Sequence, residues 1–263
     1  MMKNLLIAAT LMLLWACTGI KETSTKQALE TNVPSASGNT FERQMKGIEF
    51  YASGNNGGWT LEIDFDRVVR FFRANEDSVF EVNIVTLGEG LKGPDATHQV
   101  ANSEGELNIE IKTKENPFAQ EDAFPYHVSL KYIDFKTNTT YEFVGGGEFY
   151  GAIALHDIWM LEKMDRDKLK IAQDEQQPYM EIHLDKQKVM GHLGCNAFTA
   201  DVYFGRKQIS FSSVMSTKIG CPVLKLEQQF AKAIGNHTFN YRFENLHLML
   251  ENEKDTLIFR KTD

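Results

Sequence analysis

The 263-residue sequence predicts a mainly β protein of the α+β class, and three observations support that prediction. Aromatic residues make up 11% of the chain and fall mostly in alternating runs, which suit half-buried strands better than helices. The runs are short and separated by turn residues, which is typical of small antiparallel barrels or sandwiches. One amphipathic helix stands out near the C-terminus. We therefore expect a small antiparallel, β-barrel-like domain followed by an antiparallel sheet wrapped on one helix.

The N-terminus has the pattern of an export signal. Lys3 precedes an apolar run, Leu5–Trp15, which is too short to cross a bilayer of about 30 Å as a permanent helix. The segment Leu14-Trp15-Ala16-Cys17 resembles the bacterial lipobox, in which a small residue precedes a cysteine that is acylated and becomes the mature N-terminus. We predict that residues 1–17 are a lipoprotein signal peptide and that Cys17 is the lipidation site. The alternative is a signal peptide in which Cys17 is incidental.

Residues 18–43 are predicted to form a flexible tether. They are rich in Ser, Thr, Lys, Glu, Asn and Gly, and they include few large apolar side chains that would offset the entropy of ordering. A coil of this length reaches roughly 25–30 Å. Acyl chains such as palmitate hold a protein at a membrane surface without a transmembrane helix. We therefore expect a lipid-anchored protein of the cell envelope, attached to the outer membrane.

Residues 44–151 are predicted to form the first, β-rich domain. Alternating apolar residues mark strands that include Ile48 and Phe50, Trp59 to Phe65, Val82 and Ile84, Leu107 to Ile111, Val128 to Tyr132, and Tyr141 and Phe143. Turn-forming residues separate these runs at 55–58, 88–94, 103–105 and 136–138. Each run is expected to bury one face, because successive side chains of a strand point to opposite sides.

Segments near the start and the end of this domain resemble a family of uncharacterised bacterial envelope domains. The family motifs are approximately G-x-E-P-x-W-x-L-x-I, F-P-Y-x-V and G-C-G, and here they read Gly54–Ile63, Phe124–Val128 and Gly145–Gly147. Glu-Pro is missing from the first motif, and Gly146 stands where the family has a cysteine. The resemblance therefore implies an envelope domain without the family's disulfide.

Two features of the first domain have both a functional and a structural interpretation. Trp59 follows Gly57 and Gly58, so its indole is a possible platform for a ligand; the alternative, which we favour, is a core tryptophan after a tight turn. Asp64 and Asp66 lie two residues apart on a predicted strand and share a face, which we expect to be solvated.

Residues 152–263 are predicted to form the second domain. Strands are expected at Tyr179–Leu184, Gln187–His192, Ala197–Phe204 and Gln208–Phe211, and then as a meander through Phe239–Phe243, Leu246–Leu250 and Leu257–Phe259. Between them, apolar residues recur at helical spacing and predict a helix over residues 222–234. Pro222 suits the first helical position, and Gly235 suits the left-handed residue after the last turn.

A set of motifs runs in order through the second domain: Leu155-x-x-x-Trp159-x-Leu161, Gly191-x-x-Gly194-Cys195-Asn196-x-Phe198, Ile209-x-Phe211 and Ser216-Thr217-Lys218-x-x-Cys221. With the helix that follows, they resemble the META domain, also called HslJ-like. The resemblance implies an envelope or secreted domain that is often carried by lipoproteins. In some members it is linked to heat-shock or stress responses and to secretion. It implies no established catalytic residues.

Once the lipobox cysteine is acylated, Cys195 and Cys221 remain as an even pair in an oxidising compartment. We therefore predict a disulfide between them, which would stabilise the domain by about 3–4 kcal/mol on the chain-entropy model. A buried, reduced pair is the main alternative. Gly191, Gly194 and Asn196 are interpreted as turn residues that accept positive φ.

Two chemical alternatives compete with a structural role for these cysteines. The first is a metal site that takes ligands from His192, Cys195, Cys221 and His183, although zinc sites usually show tighter paired spacing. The second is a Cys195 nucleophile with a histidine base and Asn196 as the orienting group, for which the histidine would have to come from elsewhere in the chain.

The composition also bears on function. The formal net charge is -8 and no Lys/Arg cluster is interleaved with aromatic residues, so nucleic acid is a poor candidate partner. The sequence has no phosphate-binding loop, dinucleotide fingerprint or nucleophile elbow, so we predict no catalytic, cofactor or metal site.

Our main functional hypothesis is a non-enzymatic envelope lipoprotein that binds a protein partner or an apolar ligand during envelope maintenance or stress. The alternatives are an inhibitor of a hydrolase such as lysozyme, and an envelope enzyme that depends on Cys195. A binding surface is expected in the cleft between the two domains or inside the curl of the sheet.

Overall fold

The computed structural model describes residues 40–54, 57–74, 76, 78–84, 91–118, 124–164, 167–169, 176–220 and 224–262. Cys17, Cys221 and the predicted signal peptide lie outside these ranges, as does most of the predicted tether. Within the described ranges, no helix is long and apolar enough to span a bilayer. The predicted fold class is confirmed: antiparallel strands dominate, and one long helix packs against the second sheet.

The first sheet contains eight antiparallel strands. Their bounds are β1 (Phe50–Gly54), β2 (Trp59–Asp64), β3 (Val68–Arg73), β4 (Val79–Asn83), β5 (Ala96–Ala101), β6 (Gly105–Thr113), β7 (Tyr126–Asp134) and β8 (Thr139–Phe149). The strand order is β4-β3-β2-β1-β8-β7-β6-β5, so two meanders meet where β1 pairs with β8. The two edge strands, β4 and β5, approach each other. Asn102, the residue after β5, donates a 3.0 Å hydrogen bond from its Nδ2 to Glu81 O on β4.

The inner face of the first sheet is apolar and aromatic. Trp59 is only 4% exposed, which confirms its interpretation as a core residue. Its indole packs against the paired backbones of Gly54 and Gly145, where a Cβ atom would collide with the ring. Asp64 corrects an expectation: it is buried, and its Oδ2 accepts a 2.5 Å hydrogen bond from Arg67 Nε, whereas Asp66 is exposed.

The second sheet contains ten strands. Their bounds are β9 (Ile158–Met164), β10 (Asp167–Lys168), β11 (Tyr179–His183), β12 (Lys188–His192), β13 (Ala197–Gly205), β14 (Gln208–Phe211), β15 (Met215–Ser216), β16 (Thr238–Glu244), β17 (His247–Glu251) and β18 (Thr256–Lys261). β9 pairs with both β11 and β18, so eight of these strands close into an antiparallel barrel. β10 and β15 are short additions to β9 and β13.

Helix α2 (Leu224–Ile234) covers the interior of this barrel. Its Phe230 is fully buried and makes edge and tilted ring contacts with Phe198 on β13 and Phe259 on β18. Those two strands lie on opposite sides of the closed barrel, so one side chain spans the core. The sheet is therefore wrapped on the helix, as predicted, and Phe230 fills the interior between the two strands.

Three backbone predictions need correction. The left-handed residue after α2 is Asn236, with φ 57°, and not Gly235. In the Gly-Cys-Asn turn only Gly194 has positive φ, at 121°. Gly191 lies inside β12, where a Cβ atom would collide with Tyr179 O, so its small size is needed for close strand packing. Asn196 has an ordinary backbone conformation and acts through its side chain, as described below.

A short helix, α1 (Thr40–Met45), precedes the first sheet. The predicted tether extended to Arg43, but Arg43 is a buried residue of this helix, so residues 40–43 belong to the folded region. The orientation of α1 is unusual, because Arg43 faces the protein while Phe41 and Met45 are 67% and 66% exposed. Arg43 is held there by Glu62 on β2, at 3.0 Å, and by the ring of Tyr51 on β1, 3.9 Å from its guanidinium carbon.

Candidate functional site

The two sheets meet at a junction built mainly by the turn between β13 and β14. Arg206 in this turn donates hydrogen bonds to Leu91 O, at 2.7 Å, and to Asp66 Oδ1, at 2.6 Å. Its guanidinium also lies 5.2 Å from the centre of the Phe65 ring. Nearby, the Tyr126 hydroxyl donates a 2.8 Å hydrogen bond to Phe204 O. Buried residues of both sheets consequently form one continuous hydrophobic core.

Two clefts lie at this junction, and both are lined by Gln44 and by the residues that leave β8, Phe149–Gly151. The narrower cleft has a volume of about 150 Å³ and includes Glu49 and Tyr241. Burial raises the pKa of Glu49, although the Phe65 N–H and the Arg206 charge act in the opposite direction. Arg206 also lines this cleft, but its guanidinium is already used in the hydrogen bonds that join the two sheets.

The wider cleft has a volume of about 350 Å³, which is within the usual range for small-molecule sites. Its walls are largely apolar and aromatic, with Phe41 from α1, Phe124 before β7, and Leu184 and Phe204 from the second sheet. The charged residues among its described lining are Glu148 and Asp185, both acidic. We take this wider cleft, called the junction cleft below, as the candidate functional site.

Glu148 is the most perturbed group of the junction cleft. It lies on the outer face of β8, opposite Tyr51 of β1, and its Oε2 accepts a 2.7 Å hydrogen bond from Gln187 Nε2 of the β11–β12 turn. Burial raises the pKa of Glu148 to about 7, despite the hydrogen bond from Gln187 and the positive charge of Arg43, which lower it. Among the described residues Glu148 has no ion-pair partner, because Arg43 pairs with Glu62.

Tyr150 lies two residues after Glu148 and faces the same side of the chain. Its ring packs with Ile48 and Tyr51 in a small cluster that Phe124 covers. Burial raises the pKa of its hydroxyl, and the neighbouring Glu148 charge adds to the effect. Arg43 and Thr40 interact with this hydroxyl and act in the opposite direction on its pKa, but within the described residues the buried oxygen makes no hydrogen bond of good geometry.

The Gly-Cys-Asn turn, in contrast, is an internally satisfied polar network centred on Asn196, which is 1% exposed. Glu227 on α2 accepts hydrogen bonds from the Asn196 backbone N–H and side-chain Nδ2, both at 2.9 Å. The Asn196 Oδ1 accepts from Thr217 Oγ1 and from the Ile219 N–H, both at 2.7 Å. Asn196 thus joins the turn, the segment after β15 and the first turn of α2.

Cys195 is disulfide-bonded, and Cys221, its predicted partner, lies outside the described residues. The pairing of the two therefore remains a prediction. Asn196, the orienting group of the alternative nucleophile hypothesis, has both ends of its amide engaged by Glu227, Thr217 and Ile219.

The histidines of the alternative metal hypothesis are not brought together. His192 pairs with Tyr179 at one end of the β11–β12 ladder, and His183 pairs with Lys188 at the other end. The two rows are four residue steps apart along the strand, or about 13 Å. Over the part of the chain that the structure describes, no cluster of His, Cys, Asp and Glu residues is suitable for a metal ion.

The closed barrel, its single helix and the Asn196 network are all contained in one contiguous stretch of the chain. Residues 153–263 match the META domain. A comparison with curated proteins finds no significant match. Two structures solved by NMR, one of them from Burkholderia xenovorans, are each 16% identical and cover 41% of this chain, with a TM-score of 0.35. The matches cover 90% and 82% of those two chains.

The junction cleft lies mostly outside the motifs that identify the META domain. The sequence predicts a cleft between the two domains but does not identify the residues that line it. Glu148 and Tyr150 alternate with buried Phe149, which could have indicated a polar outer face for the end of β8. Gln187 is predicted as the first residue of a strand, but it lies in the β11–β12 turn with φ 49°. Nothing in the linear sequence places this turn beside β8, because that contact depends on how the META domain packs against the first sheet.

Proposed function

We propose that this protein is a non-enzymatic, lipid-anchored binding protein of the bacterial cell envelope, with the junction cleft as its binding site. The observation that best supports this proposal is a contrast between the Asn196 network and the junction cleft. The polar groups around Asn196 are satisfied by Glu227, Thr217 and Ile219, whereas the junction cleft combines aromatic walls with a hydroxyl and a carboxylate that lack full partners.

The anchoring part of the proposal is supported by the sequence. Leu14-Trp15-Ala16-Cys17 resembles a lipobox, and acyl chains on one cysteine are sufficient for stable attachment to a bilayer. The META domain resemblance is consistent with this address, since such domains often occur on lipoproteins. Anchorage to the outer membrane and a role in envelope maintenance or stress are the finer parts of the same proposal.

Metabolic labelling tests the anchor. Bacteria that express the full chain are grown with an alkyne analogue of palmitate, and the wild type is compared with Cys17→Ser. We expect label on the wild type only, together with its recovery in the outer-membrane fraction. An unlabelled wild type, or equal labelling of Cys17→Ser, would show that the anchor proposal is wrong.

Turnover assays test the non-enzymatic part. The purified full chain is incubated with peptidoglycan fragments and with phospholipid, and products are followed by mass spectrometry. We expect no product above the buffer control. Product formation that disappears in Cys195→Ser would instead establish the enzyme hypothesis, and the assay should be run with and without reductant because a disulfide masks the thiolate.

A further inference from the structure

The charges and shape of the junction cleft indicate a class of ligand. We infer that the cleft binds a small primary amine in its ammonium form, with the charge at Glu148 and Tyr150 and the apolar stem between Phe41 and Phe124. This inference deepens the proposed function and rests on it, because it names the ligand class of the same site.

The junction cleft contains a carboxylate, Glu148, that has no ion-pair partner among the described residues. Glu148 and Asp185 are the ionisable groups among the described lining of the cleft, and both are acidic. The neighbouring cation, Arg43, pairs with Glu62 and lies over the face of Tyr51, and it also interacts with Tyr150, but it forms no ion pair with Glu148 among the described residues. A partly buried carboxylate without an ion-pair partner costs free energy, and a bound cation offsets that cost.

The acceptor geometry suits an ammonium group. Glu148 and Tyr150 are two residues apart and therefore project from the same face of the chain. Gln187 donates to Glu148 Oε2, which leaves Oε1 as an acceptor. The Tyr150 hydroxyl oxygen interacts with Arg43 and Thr40 but makes no hydrogen bond of good geometry among the described residues, so it can still accept one. An ammonium group has three donors and no acceptor, so it complements two such oxygens.

The aromatic walls supply the remainder of the site. Phe41, Phe124 and the ring of Tyr150 line the cleft together with Phe149 and Phe204. Aromatic faces attract cations, and the attraction is stronger where water is excluded. The same rings pack against an apolar stem, and a cleft of about 350 Å³ limits the ligand to a small molecule.

Calorimetric titration of the full chain in neutral detergent tests the inference, with 2-phenylethylammonium chloride as the probe. The uncharged analogue 2-phenylethanol is the ligand control, and detergent alone gives the background. We expect saturable binding of the amine at pH 8 and at least tenfold weaker binding of the alcohol. Affinity should fall about tenfold from pH 8 to pH 6, because Glu148 becomes protonated around pH 7 while the probe keeps its charge.

Matched variants locate the site. Glu148→Gln should weaken amine binding at least tenfold and remove its pH dependence, whereas Glu142→Gln, on the same strand but exposed, should change affinity less than twofold. Tyr150→Phe removes the second acceptor and should weaken binding severalfold, which keeps the test decisive if Glu148→Gln does not fold.

Absence of amine binding, equal binding of 2-phenylethanol, or unchanged binding by both cleft variants would overturn the inference. These outcomes are separable from failure of the proposed function. If the chain is lipid-labelled but does not bind the amine, the anchor proposal stands and the amine inference is wrong. If the chain is not labelled but binds the amine at Glu148, the amine inference stands and the anchor proposal is wrong.

Discussion

At the scale of single residues, Asn196 and Glu148 are polar groups placed in opposite situations. Asn196 uses both ends of its amide, so its network is closed and contributes stability. Glu148 is held by one hydrogen bond and is destabilised by burial, so it is available for binding. The sequence predicts Asn196 only as a turn residue, because its three partners lie 21 to 31 positions further along the chain.

Replacing Asn196 by alanine should lower the free energy of unfolding by about 3 kcal/mol, because it leaves the buried Glu227 carboxylate and the Ile219 N–H without their partners. Urea denaturation followed by circular dichroism measures this loss. The matched control is Asn240→Ala, an exposed asparagine that accepts one hydrogen bond from Gln208, which should cost less than about 0.5 kcal/mol. Equal losses in the two variants would contradict the role given to Asn196.

Glu148 should make stability depend on pH. Its pKa is raised in the folded state, so the folded protein binds more protons than the unfolded chain between the ordinary glutamate pKa of 4.5 and about 7. Stability contributed by this group is therefore lost as pH rises through that window, by about 1–2 kcal/mol after allowance for partial exposure. Urea midpoints at pH 5 and pH 8 should differ less in Glu148→Gln than in the wild type; an unchanged difference would refute the assignment.

At the scale of elements, β8 explains how the first sheet and the junction cleft are connected. Its inner face packs in the core, its glycine run permits close approach to aromatic rings, and its end carries Glu148 and leads into Tyr150. Gly147 is opposite Ala52, and an added Cβ atom there would lie 2.9 Å from both Tyr51 O and the Ala52 Cβ. Close packing therefore explains the glycines of β8, and this explanation does not require the disulfide of the family that the first domain resembles.

Gly147→Ala should destabilise the protein by about 1–3 kcal/mol, because the methyl group has no space and the neighbouring strand must move. Gly58→Ala is the matched control, since nothing lies within 4 Å of a Cβ atom at that position and its φ is ordinary. Thermal unfolding of both variants distinguishes them. A Gly147→Ala variant as stable as the Gly58→Ala variant would show that β8 is less tightly packed than the structure indicates.

Strands in which apolar and polar residues alternate clearly were predicted from the sequence, and strands without this alternation were missed. β3 (Val68–Arg73) reads as two apolar pairs separated by arginine, and it becomes a strand because β2 and β4 pair with it on both sides. β5 (Ala96–Ala101) has few large apolar residues and depends on pairing with β6. In both cases the tertiary neighbours decide the structure, which local propensity does not report.

At the scale of the whole molecule, the two sheets share one continuous core. Arg206 is the residue most directly responsible for joining them, because it reaches Leu91, Asp66 and the Phe65 ring from the META domain. The sequence predicts two domains with a cleft between them. The position of that cleft could not be predicted, since it follows from contacts between residues more than 100 positions apart.

A shared core should make the two sheets unfold together. In a variant that keeps only Trp59, in the first sheet, and in one that keeps only Trp159, in the second, fluorescence and far-UV circular dichroism should each give the same urea midpoint within that variant. Arg206→Gln should lower both midpoints, by about 1–3 kcal/mol in unfolding free energy, whereas Arg260→Gln, which removes an exposed pair with Glu162, should have little effect. Separate transitions in the unmodified background would contradict the shared core.

The central claim is that the functional surface is the junction cleft and not the Gly-Cys-Asn turn. Amide chemical-shift mapping of the full chain during titration with 2-phenylethylammonium tests it most directly. We predict that the shifted amides cluster at residues 148–151 and at Gln187, with residues 194–196 and 215–219 unchanged. Shifts concentrated around Asn196, with none at the junction cleft, would contradict the account.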